Sequence, residues 1–72
     1  MEYIRNDNNQ VVGWIEQFGT TIHYFTYKYG QVGQYDTTTK CYRRWKTRPG
    51  QVVAPFPGTD YGLSDVLYWA EN

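Results

Sequence analysis

Asn9-Gln10-Val11-Val12-Gly13-Trp14-Ile15 is answered by Gly30-Gln31-Val32-Gly33-Gln34-Tyr35 and again by Gly50-Gln51-Val52-Val53-Ala54-Pro55-Phe56. Each stretch runs from a turn residue through Gln and Val to a small residue and an aromatic one, the second copy being one residue shorter before its Gly. The Gln positions 10, 31 and 51 lie 21 and 20 residues apart, and a fixed period is the mark of a repeated supersecondary unit. Before each Gln-Val comes an extended-looking segment and then a turn: Tyr3-Ile4-Arg5 before Asn6-Asp7-Asn8-Asn9, Ile22 to Tyr27 before Lys28-Tyr29-Gly30, and Cys41 to Lys46 before Thr47-Arg48-Pro49-Gly50. Asn, Asp and Gly accept the positive φ that tight turns need, and Pro presets a turn corner. Strand, tight turn, strand is a β-hairpin. The sequence therefore predicts three tandem antiparallel hairpins, over residues 2–16, 21–36 and 40–56, each too small to bury its own face.

Residue types support strands. Residues 20–29 are dominated by β-branched and aromatic side chains, with Lys28 the one strong helix former. Alternation places Ile22, Tyr24 and Thr26 on one face and His23, Phe25, Tyr27 and Tyr29 on the other, so both faces are partly aromatic and the pattern leaves open which is the core. The polar stretch at 36–40 is read as a short connection between hairpins. Past Pro55-Phe56-Pro57-Gly58 the spacing changes: Leu63, Val66, Leu67 and Ala70 fall at i, i+3, i+4 and i+7, with Asp60 or Ser64 as N-cap. This predicts one short helix over residues 63–71, its apolar stripe capping an open end of the array or meeting a partner subunit. The expected fold class is mainly β in a single domain, residues 1–72.

Composition narrows the function classes. Of 72 residues, 14 are aromatic (eight Tyr, three Trp, three Phe) and 11 are Ile, Leu or Val, so the apolar surface is mostly ring. Mean hydropathy is −0.74 because most rings carry a hydroxyl. The lone Cys41 closes no intrachain disulfide, which fits a reducing cytoplasm. The first residues hold no apolar leader core, and no run of about 18 apolar residues exists, so no membrane partner is expected. One His and one Cys are too few for a zinc cage. Below about 80 residues one core seldom supplies more than about 3–5 kcal/mol, so self-association is expected.

Across the hairpin units, Gly13-Trp14-Ile15, then Gly33-Gln34-Tyr35-Asp36 with Thr37-Thr38-Thr39, then Gly50-Gln51-Val52-Val53 and the segment Leu63 to Trp69 together resemble the small "four-fold β-flower" proteins of bacteria and phages. The match runs over most of the chain, on turn and packing residues. Ala54-Pro55 departs from the Gly expected after the third Val-Val, and the segment before the helix is longer. The resemblance implies a petal-like β arrangement and a phage or bacterial source, with cytoplasmic location in the host cell, and carries over no catalytic residue.

The strongest charge feature is Lys40-Cys41-Tyr42-Arg43-Arg44-Trp45-Lys46-Thr47-Arg48, which holds five of seven basic residues although net charge is zero. If extended, Lys40, Tyr42, Arg44, Lys46 and Arg48 share one face, and Cys41, Arg43, Trp45 and Thr47 the other. Phosphates would pair with such a stripe while a base stacks on Tyr42, as on single-strand platforms. The plainer account is a solvated strand whose like charges discourage edge pairing. No base follows Arg48, whereas Asp60, Asp65 and Glu71 do, so the basic hairpin of one subunit would also fit the acidic end of another. His23 has no Ser or Cys at motif spacing and reads as a strand residue before a catalytic one. Cys41 sits among cations that would lower a thiol pKa, yet a small buried hydrophobe is the simpler role. No two carboxylates share an acid–base motif, and Gly30-Gln31-Val32-Gly33 lacks the Lys and helix of a phosphate loop. The expectation is a non-enzymatic binding or assembly protein without cofactor or metal. Its binding residues would be Lys40, Tyr42, Arg43, Arg44, Trp45, Lys46 and Arg48 with Tyr27, Tyr29 and Tyr35. The partner would be a second copy, a host or partner protein, or alternatively single-stranded nucleic acid.

Overall fold

The asparagine-rich turn, the first Val-Val-Gly and the strand after it set the pattern of the whole sheet. The computed structural model describes residues 1–45 and 55–71. Strands β1 (Glu2–Arg5), β2 (Val11–Phe18), β3 (Thr21–Thr26), β4 (Gly30–Asp36), β5 (Cys41–Arg44) and β6 (Phe56–Pro57) form one antiparallel sheet whose order follows the chain, and helix α1 (Gly62–Glu71) ends it. The chain is mainly β with a C-terminal helix, as its residues indicate. The expected hairpins at 2–16 and 21–36 are β1–β2 and β3–β4. The expected third turn and the return arm through Ala54 lie outside the described residues. Residues 36–40 are a tight turn: Asp36 Oδ1 accepts the Thr38 and Thr39 N–H groups at 2.8 and 3.3 Å, and Lys40, at φ 57°, donates its N–H to the Asp36 carbonyl at 2.8 Å. Turns this short leave neighbouring hairpins edge to edge, so they fuse into one meander.

The repeated Val-Gly has a structural cause. Ile4 faces Gly13 but Arg5 faces Val11, and Tyr24 faces Gly33 but Phe25 faces Gln31. Val12 and Val32 are therefore the extra residues of two β-bulges, each following a positive-φ residue, Asn9 at 63° and Gly30 at 79°. Val32 is fully buried and Val12 packs against the core. The glycine after each bulge marks close approach: a Cβ on Gly13 would overlap the Phe25 carbonyl, and one on Gly33 the Tyr42 hydroxyl.

Helix α1 lies across one sheet face, over β1 to β4, rather than at an open end. The core between the layers is Ile4, Tyr24, Val32, Tyr42 and Val66. The buried stripe of α1 is Gly62, Asp65 and Val66, with Trp69 half-buried edge-on to Tyr29. The expected stripe is rotated, and Leu63 is 52% exposed. Two contacts set the rotation: Gly62 sits so close to the Tyr24 ring that a Cβ would not fit, and Asp65 turns inward to polar partners. Of the two expected caps, Asp60 serves, its Oδ1 accepting the Gly62 N–H at 2.9 Å. No helix among the described residues is long and apolar enough to cross a membrane.

Candidate functional site

Alternation along β3 sends Ile22, Tyr24 and Thr26 toward α1 and His23 and Phe25 to the opposite face. Register then assembles that opposite face from strands far apart in sequence. One row across the sheet is Tyr3, Trp14, Phe25 and Gln31; the next is Glu16, His23, Gln34 and Arg43. The rings form a ladder. Trp14 stacks on Phe25 with centroids 5.0 Å apart and planes within 4°, and Tyr27 leans on Trp14 at 4.8 Å. His23 flanks Phe25 at 6.5 Å, and Phe18 meets His23 edge-on at 5.4 Å. Trp14 Nε1 donates to Glu16 at 2.6 Å, and Gln31 Nε2 lies 3.0 Å from His23 Nδ1. Arg43 packs its guanidinium over Trp45, 5.6 Å from the ring centre. Phe18 and Tyr27 remain 62% exposed and Tyr3 57%. Phe18 and Tyr27 thus end an unbroken series of ring contacts that runs through half-buried His23, Phe25 and Trp14, a connected aromatic surface rather than rings scattered singly.

The nine-residue basic run does not form one surface. Lys40 is in the β4–β5 turn, exposed. Tyr42 is fully buried beneath α1, its hydroxyl donating to Asp65 Oδ2 at 2.6 Å, so no base can stack on it. Arg44 points to the same side: its Nε donates to Asp65 Oδ2 at 2.8 Å, and its guanidinium is ringed by Tyr42, Phe56 and Tyr61 at 5.6–6.0 Å. The acidic helix thus meets the basic strand within the chain. Arg43 and Trp45 go to the ladder face, and Lys46 and Arg48 lie outside the described residues. The tyrosines divide too: Tyr27 joins the ladder, whereas Tyr29 packs under Trp69 and Tyr35 against the core.

The helix side is an anchoring surface. Tyr24 donates its hydroxyl to Asp60 Oδ2 at 2.6 Å while Asp60 Oδ1 holds the helix N-terminus, so one carboxylate ties sheet to helix. Burial first, and then the hydrogen bond to a carboxylate, push both the Tyr24 and Tyr42 hydroxyls well above the ordinary phenol range. The bond to Asp65 raises Arg44 further. These groups stay protonated and hold structure. His23 touches rings and an amide, and Cys41 Sγ lies 3.6 Å from the Thr39 carbonyl. Among the described residues no three His, Cys, Asp or Glu side chains gather into a metal-binding group.

Sequence reasoning missed Trp14, Phe25, Phe18 and Tyr3 as a unit. Their signal was the odd-numbered alternation of His23, Phe25 and Tyr27, but only the β2–β3 register brings Trp14 beside it. No family model, curated protein or solved structure matches the chain.

Proposed function

We propose that this is a non-enzymatic binding protein that works through protein–protein contact on the ladder face. The observation that supports it is the run Phe18–His23–Phe25–Trp14–Tyr27, laid across two strands on the side of the sheet away from α1. Tyr and Trp bury large area with little rotamer entropy, which suits them to interface centres. Single-stranded nucleic acid is the weaker target. Base stacking needs free ring faces, yet Trp14 lies between Phe25 and Tyr27 and Phe25 between Trp14 and His23. The row Glu16, His23, Gln34 and Arg43 has one acid and one cation, hence no phosphate-attracting field. Photo-crosslinking side chains placed at positions 18 and 27, and at 63 on the helix side, test this in native extract. Protein adducts concentrated at 18 and 27 are expected. Salt-sensitive retention on single-stranded DNA or RNA, lost in Arg43→Ala, would overturn it in favour of nucleic acid.

A further inference from the structure

We infer that the occupant of the ladder face is a second copy of this chain, packed sheet on sheet about a two-fold axis that runs along the strands between β3 and β4. This rests on the protein-contact reading above and names its partner. Three observations carry it.

The first is area. The molecule spans 34 × 25 × 17 Å, and a helix stacked on a sheet accounts for the short dimension. The broad face is then no larger than 34 × 25 Å, so a pairing that reaches the ~800 Å² per subunit of a standard stable interface must cover essentially all of it, as sheet-on-sheet packing does. The second is charge. The row Glu16 (β2), His23 (β3), Gln34 (β4), Arg43 (β5) carries opposite charges at its two ends. A two-fold axis between the middle strands lays β2 of one copy over β5 of the other at the roughly 10 Å spacing of packed sheets. Glu16 then meets the partner's Arg43, and Arg43 the partner's Glu16, so one operation satisfies both charges. His23 meets the partner's Gln34, a donor–acceptor pair in either tautomer. The third is the neighbouring row. Trp45, just past β5, donates its N–H to the Val32 carbonyl at 2.9 Å and so continues that row. The same operation sets Trp14 against the partner's Trp45 and Phe25 against the partner's Gln31, rings and amides without charge. In the row beyond His23 it sets Phe18 against the partner's Cys41 and Asp36 against the partner's Thr21 hydroxyl. A partner of strong single charge would leave Glu16 or Arg43 facing a like charge.

The test is sedimentation equilibrium on the full chain and four variants. The expected results are a dimer, weakening by at least about tenfold in Glu16→Arg and in Arg43→Glu, and recovery to within about threefold when both changes are combined, because the swapped charges again oppose. Glu16→Gln keeps an acceptor for Trp14 Nε1 and removes only the charge, so its intermediate loss separates the interface effect from a local packing defect. Near-ultraviolet circular dichroism confirms that each variant is folded. A dimer indifferent to both reversals, or one the double swap fails to restore, overturns the arrangement. A chain that stays monomeric at millimolar concentration overturns the second copy as partner, while the crosslinking above decides separately whether the face binds protein at all.

Discussion

Asp65→Ala should remove the buried polar tie between α1 and β5. Asp65 is a buried carboxylate whose Oδ2 accepts both the Tyr42 hydroxyl at 2.6 Å and Arg44 Nε at 2.8 Å. Tyr42 is fully buried, so its orphaned hydroxyl costs about 1–3 kcal/mol. The Arg44 side chain is 30% exposed. Water re-solvates it, and its share is held to about 1 kcal/mol or less. Asp65 also sits in the first helical turn, where a negative charge contributes roughly 0.3–1 kcal/mol. The expected loss is therefore about 2–4 kcal/mol, comparable with the whole stability of a domain this small. Urea unfolding followed by tryptophan fluorescence measures it. Tyr42→Phe in the Asp65→Ala background removes the orphan itself and should regain about 1–2 kcal/mol, a coupling that a double-mutant cycle isolates. Asp65→Asn retains an acceptor for the hydroxyl and should fall between wild type and Asp65→Ala, which keeps the comparison usable if the alanine variant unfolds. Strictly additive single effects, or a loss under about 1 kcal/mol for Asp65→Ala, would refute the view that this carboxylate anchors the helix.

Alkaline pH should unfold the protein. Tyr24 and Tyr42 both have phenol pKa values raised by burial, so their stabilisation is complete below the unfolded value near 10 and falls above it by roughly 1.4 kcal/mol per tyrosine per pH unit; the urea midpoint should drop steeply between about pH 10 and 11, half as steeply in Tyr24→Phe, and a flat profile would contradict the burial of these hydroxyls. Gly13→Ala should cost about 3 kcal/mol or more, because its Cβ meets the Phe25 carbonyl oxygen and Val66 Cγ1, and the backbone atom cannot swing away; a thermal midpoint within a few degrees of wild type would show that the bulge relaxes. Lys40→Asn should raise stability by roughly 0.5–1 kcal/mol, since Asn tolerates the φ of 57° that Lys holds at a cost; thermal melting checks this, and Lys40→Val should move the midpoint the other way.

The strands and the helix were legible because each rests on local chemistry: Asn9 and Gly30 at positive φ, β-branched and aromatic runs, and an i, i+3, i+4 stripe capped by Asp60. The period of about 20 residues was legible too, and its cause is the turn-plus-bulge unit around Val12-Gly13 and Val32-Gly33. The pairing across 36–40 was not, since a polar stretch of five residues reads equally as a turn or a link until its strands are seen side by side. The site was least legible. Period-2 alternation divides Tyr42 and Arg44 from Arg43 and Trp45, but it cannot say which pair faces the helix. Asp65 decides that, from 21 residues beyond Arg44. For the same reason the helical stripe lies one position round from the apolar spacing: hydrophobicity alone favours Leu63 inward, and the inward turn of Asp65 displaces it.

The net charge of zero and the wealth of rings have one explanation in this topology. Asp60 and Asp65 are spent on the helix side, where they hold Tyr24, Tyr42 and Arg44, so Arg44 is withdrawn from the basic run and turned inward. A sheet with one helical layer can bury only one of its faces. Both faces of β3 are aromatic, and α1 covers the one carrying Tyr24, so among the described residues the Trp14–Phe25 ladder is left without a layer of its own. Each further ring on that face adds apolar area that folding alone does not withdraw from water. Two sheets placed ladder to ladder supply the absent layer to both, and the opposed ends of the Glu16–Arg43 row give that packing a register that apolar contact alone would not fix.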